Sequence, residues 1–394
     1  MNNRKLYDCR SRFGVGHPRT DPDRRRILAA GLAALWGCTI SSSGNAAETV
    51  MLRKAAAEKG LLYGTTISAE QINDDREFVG LVLQQAGLVV AENDMKWSIM
   101  NRGTRGDDDY GPADTVAAFA LENNLALRGH NLLWHHRTPS WYFKLNARSE
   151  LERAIVEHIQ AMVGRYRGMV HSWDVVNEPI EPKDGRSDGL RNGVFLEKLG
   201  PDYIDLAFQT ARETDPAARL VVNDYDLEFD TPEQEARRTT LLNLLERMQR
   251  SGTPVDVVGI ETHLSCAGGP PFSASRLRRF LAELAGLGLT IQITELDVTD
   301  ENAPADPVVR DSLVADAYSR FLDAALDEAA VKMVVTWGLS DRHSWIVRRE
   351  THQSKWRNDG ALSRPLPFDA DLKAKPAYEA IAQAFAHAPG RAVG

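Results

Sequence analysis

Eight short apolar runs alternating with amphipathic segments predict an α/β fold, a (β/α)8 TIM barrel in a single domain. Three observations carry that reading. The runs are near-continuous in hydrophobicity, as strands buried on both faces are, and do not alternate strictly with polar residues. The segments between them repeat apolar residues at helical spacing. No Gly/Ser linker, low-complexity stretch or internal repeat within the 394 residues makes room for a second domain.

The runs fall at 61–67, 88–93, 125–133, 170–178, 220–226, 255–263, 290–297 and 331–339, most of them containing β-branched residues. Leu151, Ile155, Ile159, Met162 and Val163 mark one helical stripe between the third and fourth runs. Leu241, Leu245 and Met248 mark another, ended by Gly252. A doubly wound sheet is the competing architecture, but no Gly-rich dinucleotide fingerprint follows any run. Several runs end in polar, reactive residues: Glu92-Asn93, His130-Asn131, Asn177-Glu178, Asn223-Asp224, His263, Glu295 and Trp337. In a parallel barrel every strand opens its C-terminal end onto one face, so these residues are predicted neighbours in space.

Hydrophobic residues make up 43% and charged residues 26%, enough to bury a large core. The formal charge is −8, which argues against nucleic acid as a partner. Residues 1–26 hold eight basic and three acidic side chains, a surplus of +5 that leaves −13 on the remainder. Arg24-Arg25-Arg26 precede an apolar stretch over 27–40. About 14 positions are too few for a permanent membrane span, which needs roughly 20, but suit a signal-peptide core. Residues 1–46 therefore read as a twin-arginine-type signal, with Gly44 and Ala46 before the cut, and 47–394 as the catalytic domain. The expected destination is the periplasm or the medium. A lipid anchor on Cys38 is the alternative, which Trp36 disfavours. After cleavage Cys266 is the only thiol, so no intramolecular disulfide can form.

Two glutamates stand out, Glu178 in Trp173-Asp174-Val175-Val176-Asn177-Glu178-Pro179 and Glu295 in Ile293-Thr294-Glu295-Leu296-Asp297. They are expected to close strands 4 and 7, on opposing sides of the mouth. Facing carboxyl groups are what cleavage of a glycosidic bond requires, one protonated to serve the leaving oxygen and one ionised to meet the anomeric carbon. Each charge raises the proton affinity of its neighbour, so each sets the other's role.

These residues resemble glycoside hydrolase family 10, the endo-β-1,4-xylanases. The likeness runs through Ala91-Glu92-Asn93-Asp94-Met95-Lys96-Trp97, Arg128-Gly129-His130-Asn131-Leu132-Leu133-Trp134-His135 and Trp173 to Pro179. It continues through Asn223-Asp224-Tyr225, Thr262-His263-Leu264, Thr294 to Asp297 and Trp337-Gly338-Leu339-Ser340-Asp341 with Trp345. The resemblance implies an endo-1,4-β-xylanase that hydrolyses internal bonds of xylan with retention, through a covalent glycosyl-enzyme. Glu178 would be the acid/base and Glu295 the nucleophile, with their carboxyl groups about 5–5.5 Å apart. Asn177 would bond the sugar 2-hydroxyl, and His263 would hold the nucleophile. Trp337 and Trp345 would lie against sugar faces, while Glu92, Asn93, Lys96, His130 and Trp134 would grip hydroxyls on the non-reducing side. The reaction needs no cofactor and no metal, and the enzyme is expected to work as a monomer.

Two positions depart from the pattern. Glu261 stands two residues before His263, and Arg137 three after Trp134, where the family usually has glutamine. A third carboxylate would couple the titrations of the other two, so Glu261 is expected to be protonated or paired with a cation. Arg137 offers a fixed positive fork that suits an acidic substituent such as glucuronic acid, or it neutralises a nearby carboxylate. Rival readings are a metal-dependent barrel hydrolase using His130, His135, His136 and His263, a barrel that binds xylan without cutting it, and a related β-1,4-glucanase.

Overall fold

The computed structural model describes residues 51–347 and 357–392. The signal expected over 1–46, with Cys38, lies outside the described residues. Eight parallel strands form the barrel: β1 Leu62–Ile67, β2 Leu88–Ala91, β3 Ala126–Gly129, β4 Val170–Asn177, β5 Arg219–Asp224, β6 Val257–Ile260, β7 Thr290–Thr299 and β8 Val331–Thr336. Each pairs with the next in chain order, and β8 closes the ring by pairing with both β7 and β1.

A helix follows every strand: α1 Arg76–Gln85, α2 Gly111–Glu122, α3 Arg148–Arg165, α4 Asp202–Thr214, α5 Pro232–Arg250, α6 Ala274–Gly286, α7 Pro307–Ala325 and α8 Pro376–His387. Their starts carry local chemistry. The Thr231 side chain accepts from the Gln234 amide and Pro232 opens α5, whose first turn holds Glu233 and Glu235 and whose last holds Arg247 and Arg250. Asp75, Ser273 and Asp306 cap α1, α6 and α7 in the same way. The predicted stripes face inward: Leu151, Ile155, Ile159, Met162 and Val163 are buried on α3, and Leu241, Leu245 and Met248 on α5. Burying each is worth about 1.5–3 kcal/mol, and cutting Ile155 to alanine would cost about 2–5. No helix among the described residues is long and apolar enough to cross a membrane.

Inside the barrel, Leu88 and Val90 of β2 pack with Met333 and Val335 of β8 and with Trp337. Polar side chains fill the rest. Arg128 is fully buried, bonded to Asp174 and, through Nε, to Gln292 Oε1 at 3.2 Å. Gly129 has no substitute here, since a Cβ would lie 2.1 Å from the Trp173 ring.

Three runs differ from their sequence reading. The third splits: β3 stops at Gly129, a cis peptide joins His130 to Asn131, and Leu133–Trp134 pairs again with β4. The sixth splits at Thr262, which takes φ +64°, before His263–Ser265 pairs with β7. That second pairing carries the β7 ladder on to Thr299, so Glu295 lies within its strand instead of closing it.

Candidate active site

The C-terminal halves of the strands and the loops after them bring the predicted site residues to one mouth. Glu178 follows β4 in the left-handed region at φ +54°, uncommon for a residue with a Cβ. Its amide donates to the Asn223 carbonyl (2.8 Å), and its own carbonyl accepts from Arg191 Nε (2.8 Å). Asp224 secures the turn beyond it by accepting from the Ile180 amide at 2.9 Å. Asp226 and Thr262, after β5 and β6, also take left-handed backbone angles. Strain of this kind concentrates where side chains are aimed for function.

Asn223 is the hub. Its side-chain nitrogen donates to Asn177 Oδ1 (2.9 Å), Glu261 Oε1 (3.0 Å) and Glu295 Oε1 (3.2 Å), while its oxygen accepts from Thr294 Oγ1 (2.7 Å). Gly259 on the adjacent strand makes room for it, since a Cβ there would sit 2.1 Å from Asn223 Oδ1. Asn177, with its oxygen taken, turns its NH2 toward Glu178 Oε1 at 3.4 Å.

A second network holds the far side of Glu295. His263 Nε2 lies 3.7 Å from Glu295 Oε2, and its Nδ1 pairs with Asp297 Oδ1 at 2.9 Å. The other oxygen of Asp297 accepts from the Trp345 indole at 2.6 Å. His263 therefore reaches Glu295 as an oriented ring, and its bond of normal length goes to Asp297. From the opposite side His130 Nδ1 bonds Asp174 Oδ2 at 2.8 Å and stands 4.0 Å from Glu295 Oε1.

Lys96 organises the remaining wall. Its Nζ donates to Asn93 Oδ1 (3.0 Å) and lies 4.9 Å from the centre of the Trp134 ring and 5.7 Å from that of Trp337. Asn93 in turn donates to Glu92 Oε1 at 3.3 Å. Trp337 is 7% exposed and packed into the barrel layer, so Trp134 and Trp345, both half-buried, offer the more open ring surfaces. Arg137 Nε is shielded from water without a hydrogen-bond partner, and no carboxylate among the described residues comes within ion-pair range of the guanidinium.

The two glutamates titrate apart. Burial pushes Glu178 up to about 7, helped by Asp224 and Glu295 and opposed by the Trp134 indole and Arg191. Burial also disfavours the charge on Glu295, but His130, His263 and Lys96 outweigh it and hold that carboxyl at about 2. Near neutrality one carboxyl thus keeps its proton while the other is an anion. Glu261 is pushed well above the ordinary carboxylate range by burial and by the neighbouring carboxylates. Donor atoms of His135, His136 and Glu178 lie within 4.8 Å of one another, as do those of Glu261, His263 and Glu295. Each group includes one of the two split carboxylates, so an ion bound there would compete with the proton on Glu178 or with the approach of a sugar to Glu295.

Asp297, Asp174 and Arg191 were absent from the sequence-derived site, and Asn223 was placed at the mouth without a role. Asn223, Asp297 and Asp174 ended or lined apolar runs and carried a weak signal as polar residues in strands. Arg191 lies in the loop after β4 and had none.

The sequence profile of glycosyl hydrolase family 10 matches residues 51–384. Endo-1,4-beta-xylanase 3 of Hypocrea jecorina is 32% identical over 357 residues, spanning 91% of this chain and 90% of that protein. Endo-1,4-beta-xylanase A of Phanerodontia chrysosporium is 31% identical over 87% of this chain and 79% of its own. Among solved structures, native xylanase 10B from Thermotoga maritima superimposes with a TM-score of 0.74 at 29% identity, covering 85% of this chain and 98% of that one. The chain is a glycoside hydrolase and belongs to glycosyl hydrolase family 10.

Proposed function

We propose that the protein is an endo-1,4-β-xylanase that cleaves internal xylosidic bonds with retention, with Glu178 as acid/base and Glu295 as nucleophile. The observation that carries this is a pair of buried carboxyls at one mouth joined through the Asn223–Asn177 hub, with burial raising the proton affinity of Glu178 while His130, His263 and Lys96 lower that of Glu295. Glu295 attacks the anomeric carbon as the Glu178 proton passes to the glycosidic oxygen, leaving a glycosyl ester on Glu295. Glu178, now ionised, takes a proton from water, whose oxygen displaces Glu295 and restores both groups. Asn177 donates to the 2-hydroxyl, a contact that strengthens as charge develops at the sugar. Lys96, Asn93, Glu92, His130 and Trp134 hold the non-reducing side, and Trp345 and Trp337 lie against ring faces.

The test is a comparison of rates on xylan and carboxymethylcellulose, with the first released sugar followed by NMR. Turnover of xylan with β-configured product is expected. Preference for the glucan would identify a glucanase on the same scaffold, and α product would exclude retention. Azide should restore turnover to E295A with inverted product if Glu295 is the nucleophile. The reading extends to export through residues 1–46 and to a monomer acting on xylan. N-terminal sequencing of exported protein should find a start near residue 47, and sizing chromatography a single chain.

A further inference from the structure

Glu261 is 4% exposed and follows β6 directly. Among the described residues no lysine or arginine lies within ion-pair distance of it, and the one hydrogen bond to its carboxyl group comes from Asn223 Nδ2 at 3.0 Å, its backbone amide donating separately to the Asp224 carbonyl. That nitrogen also faces Asn177 Oδ1 and Glu295 Oε1. An amide nitrogen has two hydrogens, so three acceptors exceed what it can satisfy. Ligand-type atoms of Glu261, His263 and Glu295 all lie within 4.8 Å of one another, so two anions here would face each other away from water.

We propose that Glu261 is a positioning residue that works as a neutral carboxylic acid, its proton supplying the missing donor and leaving Glu295 the sole anion of the Asn223 cluster. This rests on the assignment of Glu178 and Glu295 above. The groups that act on Glu261 most strongly are acidic on every packed strand: Asp174 within β4 and Glu178 just after it, Asp224 from β5 and Glu295 from β7; the cations of the cluster, His263, His130 and Lys96, act on Glu295. Burial, then Glu295, then the other three drive its proton affinity up. An ionised Glu261 would bind the Asn223 amide more strongly than a neutral one and draw it from Asn177 and Glu295. The working enzyme therefore carries two protons, on Glu178 and Glu261, over one anion. On xylan, loss of either stops turnover.

Two substrates separate the two protons. On xylan the leaving oxygen needs the Glu178 proton, so the alkaline limb of kcat/KM should fall with the loss of two protons in wild type and of one in E261Q. A 2,4-dinitrophenyl xylobioside departs without protonation, which removes Glu178 from the step that kcat/KM reports. On it, wild type should keep an alkaline limb and E261Q should lose it, while acid-side rates stay within about threefold because the amide supplies the same donor. Wild type alone decides the matter if the variant misfolds: disappearance of the alkaline limb on the activated substrate overturns the proposal. Superimposable profiles of wild type and E261Q overturn it too, and so does an equal loss at every pH, which would mark a purely structural role. No cleavage of either xyloside by wild type would instead sink the functional assignment beneath it.

Discussion

Replacing Glu178 with glutamine should make the protein more stable at alkaline pH while removing the proposed general acid. The folded chain holds the Glu178 proton up to about pH 7 against an ordinary 4.5, because the carboxyl is buried. Between those values the folded state binds a proton that the unfolded chain has released, so wild-type stability falls as pH rises through that window. The 2.5-unit separation corresponds to about 3 kcal/mol, fully expressed once pH exceeds the folded value. Glutamine does not titrate, so the variant should match wild type near about pH 4 and gain about 3 kcal/mol by about pH 8.5. For a domain of this size that is a rise in Tm of roughly 4 °C. Differential scanning calorimetry across the range gives the difference directly, and activity on xylan should drop about 10²–10⁴-fold. A Tm difference that stays constant with pH would refute the reasoning, since it would mean that Glu178 titrates alike in both states.

Three further substitutions test the supports. G259A drives a Cβ toward Asn223 Oδ1 and should displace the hub; kcat should fall far more than KM rises, by steady-state kinetics on xylan. D297N leaves His263 and Trp345 competing for one acceptor oxygen, and kcat/KM should fall about 10- to 100-fold, the worth of one hydrogen bond to a charged group. R137Q removes an unpartnered guanidinium, and its kcat/KM should fall about tenfold on glucuronic-acid-decorated xylan and stay unchanged on neutral xylan. An equal effect on both substrates would make Arg137 a packing residue.

The alternation of apolar runs and helical stripes made the barrel legible, because burial on both strand faces and on one helix face writes itself into composition. Glu178 and Glu295 were legible for a related reason: a carboxylate ending an apolar run needs an explanation that folding alone does not give. The breaks at His130-Asn131 and Thr262 were hidden, since a run does not show where its backbone turns. Glu295 looked like a strand end because the ladder that extends β7 to Thr299 comes from a three-residue segment too short to register as a strand. Asn223 and Asp297 were invisible as organisers because what they do depends on partners from other elements, Asn177 and Thr294 on other strands for the one and Trp345 in a short 3-10 turn for the other.

The buried pair of Arg128 and Asp174 sets a limit on how this barrel can be engineered. Exchanging a buried ion pair for apolar residues of similar volume is often neutral or gains about 1–4 kcal/mol, which makes such pairs attractive targets for thermostabilisation. Here the second oxygen of Asp174 holds His130, and His130 faces Glu295, the proposed nucleophile. A repacked interior would therefore melt later and turn over less, and selection for activity and selection for heat resistance would pull these two side chains in opposite directions.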